Sequence, residues 1–64
     1  MSLISDKAVI SPKAVIGANV SVGPFSIIED GVSIGDNSEI HSSALIHSGT
    51  TLAKGVRVFH SAII

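Results

Sequence analysis

The stretch from Ile16 to Ile40 reads IGANVSVGPFSIIEDGVSIGDNSEI, and an aliphatic side chain returns in it at every sixth residue. An α-helix has 3.6 residues per turn and would scatter a six-residue period around its surface. One long alternating strand is excluded as well, because strands in globular proteins run for only about 3–10 residues. The period therefore predicts an all-β solenoid built from short strands and turns. It covers the chain at Ile4, Ile10, Ile16, Val22, Ile28, Ile34, Ile40, Ile46, Leu52, Val58 and Ile64.

The repeat divides into wall and turn positions when each of these aliphatic residues is counted as position 1. Position 5 is small or β-branched, at Ala8, Ala14, Val20, Ser26, Val32, Ser38, Ala44, Thr50, Val56 and Ala62. Positions 5 and 1 are separated by a single residue, so in an extended segment they face the same side and position 6 faces the other. All the glycines and prolines occupy positions 2 to 4, and no charged residue occupies position 1 or 5. We expect positions 5 and 1 inside, position 6 outside and positions 2 to 4 in turns.

The residue types at position 4 follow a longer period of 18 residues, which is three hexads. One corner carries Asn19, Asn37 and Gly55, the next carries Lys13, Gly31 and Gly49, and the third carries Lys7, Phe25, Ser43 and Ser61. Asn and Gly accept left-handed backbone angles, so the first two corners are predicted to be tight and the third to turn differently. Three strands per coil give a triangular cross-section and about three and a half coils. The predicted internal stacks are Ile4/Val22/Ile40/Val58, Ile10/Ile28/Ile46/Ile64 and Ile16/Ile34/Leu52.

Composition limits the classes of function open to this chain of 64 residues. A net charge of −1 provides no electrostatic footprint for nucleic acid or an anionic membrane. The absence of cysteine excludes disulfides and thiolate chemistry. No apolar run is long enough to cross a bilayer, and the N-terminus has no secretory signal pattern, so we expect a cytoplasmic protein. Residues 1–64 form one β-helix segment, and the apolar ending Ala62-Ile63-Ile64 suggests the N-terminal part of a longer protein.

The sequence from Ile16 to Phe25, IGANVSVGPF, resembles the hexapeptide-repeat acyltransferases. The segments AVISPKAVIG (residues 8–17), VSIGDN (residues 32–37) and LIHSGT (residues 45–50) continue in the same style. The resemblance spans the whole chain but only about the first quarter of such an enzyme. It is strongest to the members that move an acyl chain from acyl carrier protein to UDP-N-acetylglucosamine, the first step of lipid A synthesis.

The resemblance implies a left-handed parallel β-helix and a homotrimer with its active sites in clefts between subunits. It places the catalytic histidine and the substrate-binding residues beyond Ile64. No catalytic, cofactor-binding or metal-binding residue is therefore assigned in this chain, no cofactor is expected, and the chain alone is predicted to be inactive. Two other functions remain open: a non-catalytic β-solenoid module that trimerises, and a trimeric metal-dependent hydratase on the same scaffold.

Three histidines, His41, His47 and His60, are the side chains able to act near neutral pH. His41 and His47 are one hexad apart, which places them on different corners and too far apart to share a metal ion within one subunit. Glu29 and His47 are three hexads apart and could pair as an orienting carboxylate and a base, although a surface ion pair is the commoner outcome. Glu39 and Arg57 are predicted to form such a surface pair.

The outward position 6 distinguishes the three walls. One wall carries Leu3, Ser21, Glu39 and Arg57, and another carries Val15, Ser33 and Thr51. The remaining wall carries four large aliphatic side chains, Val9, Ile27, Leu45 and Ile63. A contiguous apolar stripe on a soluble protein marks an association surface. We expect this wall to lie at the interface of the homotrimer.

Overall fold

The computed structural model describes residues 3–64, and the regular structure in them is entirely β. Each strand is formed by positions 6 and 1 of the repeat. The strands are β1 (Leu3–Ile4), β2 (Val9–Ile10), β3 (Val15–Ile16), β4 (Ser21–Val22), β5 (Ile27–Ile28), β6 (Ser33–Ile34), β7 (Glu39–Ile40), β8 (Leu45–Ile46), β9 (Thr51–Leu52) and β10 (Arg57–Val58). No helix occurs among residues 3–64, so none there is long and apolar enough to cross a membrane.

The strands form three parallel sheets, ordered β1-β4-β7-β10, β2-β5-β8 and β3-β6-β9. Every pair joins equivalent positions three hexads apart: Ile4 pairs with Val22, and Ile16 pairs with Ile34. A bridge between Leu45 and Ile63 extends the second sheet by another level. The predicted solenoid with three strands per coil is confirmed, and so are its three stacks.

Burial follows the repeat as predicted in the middle coils, while at the two ends the position-1 residues Ile4 and Ile64 are exposed. The core draws on positions 1 and 5 from all three walls, namely Val20, Val22, Ile28, Val32, Ile34, Ile40, Ala44, Ile46 and Val58. Two buried polar side chains, Ser26 and Ser38, also occupy position 5. Ser26 Oγ donates to the His41 carbonyl at 2.7 Å, and Ser38 Oγ donates to the Ala53 carbonyl at 3.0 Å. Each buried hydroxyl is thus satisfied by the backbone of a neighbouring coil.

Two glycines at position 2 are required by the close approach of successive coils. A Cβ on Gly17 would lie 2.8 Å from the Asp36 amide nitrogen, and one on Gly35 would lie 2.6 Å from the Ala53 carbonyl carbon. The same close approach of the two coils lets Asp36 Oδ1 accept the Ala18 N–H at 2.8 Å. The corner between the third and first sheets is therefore held by contacts between coils as well as by its own turns.

The prediction that the third corner turns differently is wrong. Phe25, Ser43 and Ser61 have φ values of 63°, 59° and 61°, as left-handed as Asn19 at 57° and Asn37 at 63°. The cause is the stacking of coils, in which position 4 donates its N–H to the coil below. Phe25 donates to the Lys7 carbonyl at 3.2 Å, as Asn37 does to the Ala18 carbonyl at 2.9 Å. These bonds impose one turn on all three corners, whatever the local preference of the residue.

Candidate functional site

The outward face of the β2-β5-β8 sheet is the main exposed apolar feature of the described residues. Val9, Ile27 and Leu45 pair directly in register, and Ile63 bridges to Leu45. Val9 is 62% exposed, Ile27 is 43% exposed and Ile63 is 69% exposed, because positions 5 and 1 already fill the inside. These four side chains form a continuous stripe, here called the apolar wall, and their predicted outward orientation is confirmed.

The apolar wall has two different edges. The entering edge is formed by position 4 of the turns that precede its strands, namely Lys7, Phe25, Ser43 and Ser61. The leaving edge is formed by position 2 of the turns that follow its strands, namely Ser11, Glu29 and His47. Phe25 is 64% exposed, and the Lys7 ammonium nitrogen lies 6.0 Å from its ring centroid. The entering edge thus presents an aromatic ring and a cation.

An open groove of about 560 Å³ runs from the apolar wall onto the leaving edge. One side of the groove is apolar and the other is polar and acidic. Its lining residues are Val9, Ile10, Ser11, Pro12, Ile27, Ile28, Glu29, Asp30 and Ser48. Such a mixture suits contact with a surface or molecule that combines an apolar body with hydrogen-bond donors.

The polar side of the groove is organised by contacts between coils. Glu29 Oε1 accepts the Ser48 N–H at 2.9 Å and lies 3.3 Å from His47 Nδ1. Ser11 Oγ donates to Asp30 Oδ1 across the next pair of coils. The predicted stacking of Glu29 on His47 is confirmed. With both side chains about half exposed, the pair has the geometry of a surface ion pair, worth about 0–1 kcal/mol when the ring is protonated.

A second polar cluster lies on the corner that follows β7 and β10. Glu39 Oε2 is 3.4 Å from Arg57 Nε, as the coil-to-coil spacing predicts, and Glu39 Oε1 is 3.6 Å from His41 Nε2. The His41 ring packs edge-on against Phe59 at 5.4 Å between centroids. His41 follows β7 while His47 follows β8, so the two histidines occupy different corners, as predicted. Within residues 3–64, no three His, Asp or Glu side chains converge where they could hold a metal ion.

Sequence reasoning missed the part that Phe25 plays in this surface. The equivalent residues in the neighbouring coils, Lys7 and Ser43, gave no sign of an apolar edge. The sequence contained one signal of this wider apolar surface: Phe25 occupies a turn position just before the strand that begins at Ile27. A large aromatic residue in a left-handed turn is unusual in any protein. The apolar surface is therefore wider than the outward column that the sequence indicates.

Comparison with family models matches residues 13–48 to the family described as bacterial transferase hexapeptide (six repeats). The match covers more than half of the chain and includes β3 to β8. No curated protein and no solved structure matches the chain. The matched segment contains strands of all three walls and the groove residues Ile27, Ile28, Glu29, Asp30 and Ser48, whereas the groove residues 9–12 precede it.

Proposed function

The chain belongs to the bacterial transferase hexapeptide family, and on that premise we propose that it is the β-helix portion of an acyl-carrier-protein–UDP-N-acetylglucosamine O-acyltransferase. The observation that carries the proposal is the sequence from Ile16 to Phe25, which lies inside the matched segment and resembles the acyltransferases of this substrate class. In the proposed reaction a sugar hydroxyl attacks the thioester carbonyl of acyl carrier protein. A histidine base takes the hydroxyl proton, and the carrier thiol leaves.

The proposed contribution of this chain is assembly of the trimer. Three of the four side chains of the apolar wall are exposed on a single copy, and Leu45 is half-buried. Burying apolar surface stabilises a complex by about 25 cal/mol per Å² before the cost of association. A cyclic trimer is a closed assembly in which every copy of the wall can be covered. The column of outward aliphatic side chains selects this face, and the resemblance to trimeric acyltransferases implies three subunits.

The acidic side chains of this chain are consistent with a role in assembly rather than in catalysis. Glu29, Asp30 and Asp36 each accept a hydrogen bond from an adjacent coil, and Glu39 pairs with Arg57. A catalytic base needs an acceptor free to take a proton from bound substrate. These acidic groups instead connect coils, which also favours the second candidate, a non-catalytic trimerising module.

The two candidates are separated by assaying the complete product of the gene that encodes this chain, alongside the chain of 64 residues alone. We expect the complete product to transfer an acyl group from acyl carrier protein to UDP-N-acetylglucosamine and the chain alone to transfer none. A trimeric complete product without acyl transfer would support the module instead. Acyl transfer by the short chain, lost on His47→Ala or His60→Ala, would contradict the proposal that catalysis lies outside it.

A further inference from the structure

The aspartates of the chain occupy the same turn position but differ in the amide that follows them. All stand at position 3 of the repeat, namely Asp6, Asp30 and Asp36. After the first, the Lys7 N–H donates to Ser5 Oγ at 3.1 Å. After the third, the Asn37 N–H donates to the Ala18 carbonyl at 2.9 Å. After the second, the Gly31 N–H has no hydrogen-bond partner among residues 3–64, so this main-chain nitrogen is open to reaction.

The corner around Asp30 and Gly31 is exposed and free to rearrange. Both residues are exposed, and a Cβ added to Gly31 would meet only the Gly49 nitrogen, at 3.6 Å. Gly31 has a φ of 72°, and a glycine changes between such an angle and an ordinary one with little penalty. The Asp30 carboxyl accepts a hydrogen bond from the Ser11 hydroxyl at the surface, and such a bond is worth about 0.5–1.5 kcal/mol. The carboxyl can therefore leave Ser11 and approach the Gly31 nitrogen.

Asp36 lacks this freedom because the coil below holds both of the groups that would have to react. Its Oδ1 accepts the Ala18 N–H at 2.8 Å, and the Asn37 N–H donates to the Ala18 carbonyl. The two asparagines are also held, because the residues that follow them, Val20 and Ser38, have buried side chains. Exposure, an unbonded nitrogen and a glycine thus coincide at Asp30.

We propose that Asp30 and Gly31 form a site of covalent self-modification, at which the aspartyl residue converts to isoaspartate through a succinimide. The Gly31 nitrogen loses its proton and attacks the side-chain carboxyl carbon of Asp30. A C–N bond forms and the carboxyl hydroxyl leaves as water, in a reaction favoured by the proximity of the two groups. Water then opens the ring. Attack at the side-chain carbonyl restores aspartate, and attack at the main-chain carbonyl gives isoaspartate, with no oxidant, reductant or other reactant.

The product alters the corner between the second and third sheets. The main-chain carbonyl of Asp30, which accepts the Gly49 N–H at 3.3 Å, becomes a free α-carboxylate, and a methylene group is added to the main chain. The side-chain contact with Ser11 is lost as well. A carboxyl methyltransferase that esterifies isoaspartyl residues is the class of enzyme that would act on this product. The inference is independent of the trimer and of acyl transfer.

A second Asp-Gly dipeptide in the same chain tests whether the structure selects Asp30. Asn37→Gly places one at Asp36 and should fold, because Gly55 fills the equivalent turn position in the next coil with a φ of 71°. The new glycine keeps the N–H that donates to Ala18. In the folded variant at neutral pH we expect isoaspartate to accumulate about tenfold or more faster at residue 30 than at residue 36. In urea the two rates should agree within about threefold, because both dipeptides are then free of these contacts.

Two independent readouts identify the product. Isoaspartyl residues accept a methyl group from S-adenosylmethionine through an isoaspartyl methyltransferase, and electron-transfer fragmentation of the peptide shows which residue is converted. Asp30→Glu is the chemical control, since it keeps a carboxylate at the corner but would have to close a larger ring. We expect that substitution to lower conversion at residue 30 by about tenfold or more.

Three results would overturn the proposal. Equal rates at residues 30 and 36 in the folded Asn37→Gly variant would mean that the dipeptide alone decides and the surrounding contacts do not. Isoaspartate at residue 30 of the wild type in urea, with none in the folded chain, would mean that the fold protects this corner. Undiminished conversion at residue 30 in the Asp30→Glu variant would exclude the succinimide route. The wild-type comparison does not depend on the folding of either variant.

Discussion

Single residues at the corners show how neighbouring coils override local preference. Phe25, Ser43 and Ser61 adopt left-handed backbone angles although none is Gly or Asn. The penalty for such an angle is about 1–2 kcal/mol per residue. The left-handed angle persists because it lets the N–H of the turn residue donate to a carbonyl of the coil below. Leaving that donor unsatisfied would cost a comparable free energy.

Replacing Phe25 by Asn should raise the free energy of unfolding of the monomer by about 1 kcal/mol, since Asn tolerates the left-handed angle. Urea unfolding at concentrations where the chain is monomeric measures this change. Phe59→Asn is the control and should shift stability by no more than about 0.5 kcal/mol. A less stable Phe25→Asn monomer would mean that the ring stabilises its own subunit.

Gly35→Ala should destabilise the chain by about 3 kcal/mol or more, because the new methyl group would lie 2.6 Å from the backbone of Ala53 and Lys54. Gly49→Ala is the matched control: its φ is +81° and no atom lies within 4 Å of the built Cβ. That substitution should cost only the angular penalty, about 1–2 kcal/mol. Thermal unfolding of both variants gives the comparison, and equal losses would contradict the steric account.

At the scale of the element, the strands were predictable to within one residue, since the expected extended segment spans positions 5, 6 and 1 and each strand covers positions 6 and 1. The conformation of the third corner was not predictable. An inward aliphatic at every sixth residue, with a small side chain at the inward position before it, leaves one choice of inward face for each strand. The conformation at Phe25 follows from its hydrogen bond to Lys7 in the preceding coil, which no local pattern contains. The groove was equally hidden, since its polar side depends on side-chain contacts between coils, such as Ser11 with Asp30.

Strand β6 offers a direct test of which face is inside. Ile34 is buried at 2% exposure while Ser33 beside it faces outward. Ile34→Asp should prevent folding, because a carboxylate in this column has neither a charged partner nor water. Ser33→Asp should fold with the strand signature of the wild type in circular dichroism. A soluble Ile34→Asp variant with that same signature would count against the assignment.

At the scale of the whole molecule, the three walls share one core and differ in what they show to the outside. The first sheet presents Leu3, Ser21, Glu39 and Arg57, the third presents Val15, Ser33 and Thr51, and the second presents the apolar wall. Family membership accounts for the common interior. The outward residues decide which side of the prism is available for association.

Leu45→Glu should shift sedimentation from trimer towards monomer, since it places a charge in the middle of the apolar wall. Strand content should be unchanged, because Leu45 points away from the core. Thr51→Glu, an outward substitution on the third sheet, is the control and should remain trimeric. A Leu45→Glu variant that sediments as a full-strength trimer would show that another wall forms the interface.

Strands pair between equivalent positions of successive coils, so the core and the outward walls respond differently to deletions in the chain. Loss of one hexad moves each later strand to the neighbouring wall, yet still supplies an aliphatic residue to the core. Deleting residues 35–40, for example, would stack Leu45 over Ser21 and Thr51 over Ile27. Loss of one whole coil would shorten the prism and keep every wall in place. The core is therefore preserved by a deletion of any whole number of hexads, whereas the outward walls are preserved only by a deletion of whole coils. A deletion that leaves folding intact can still break up the apolar wall.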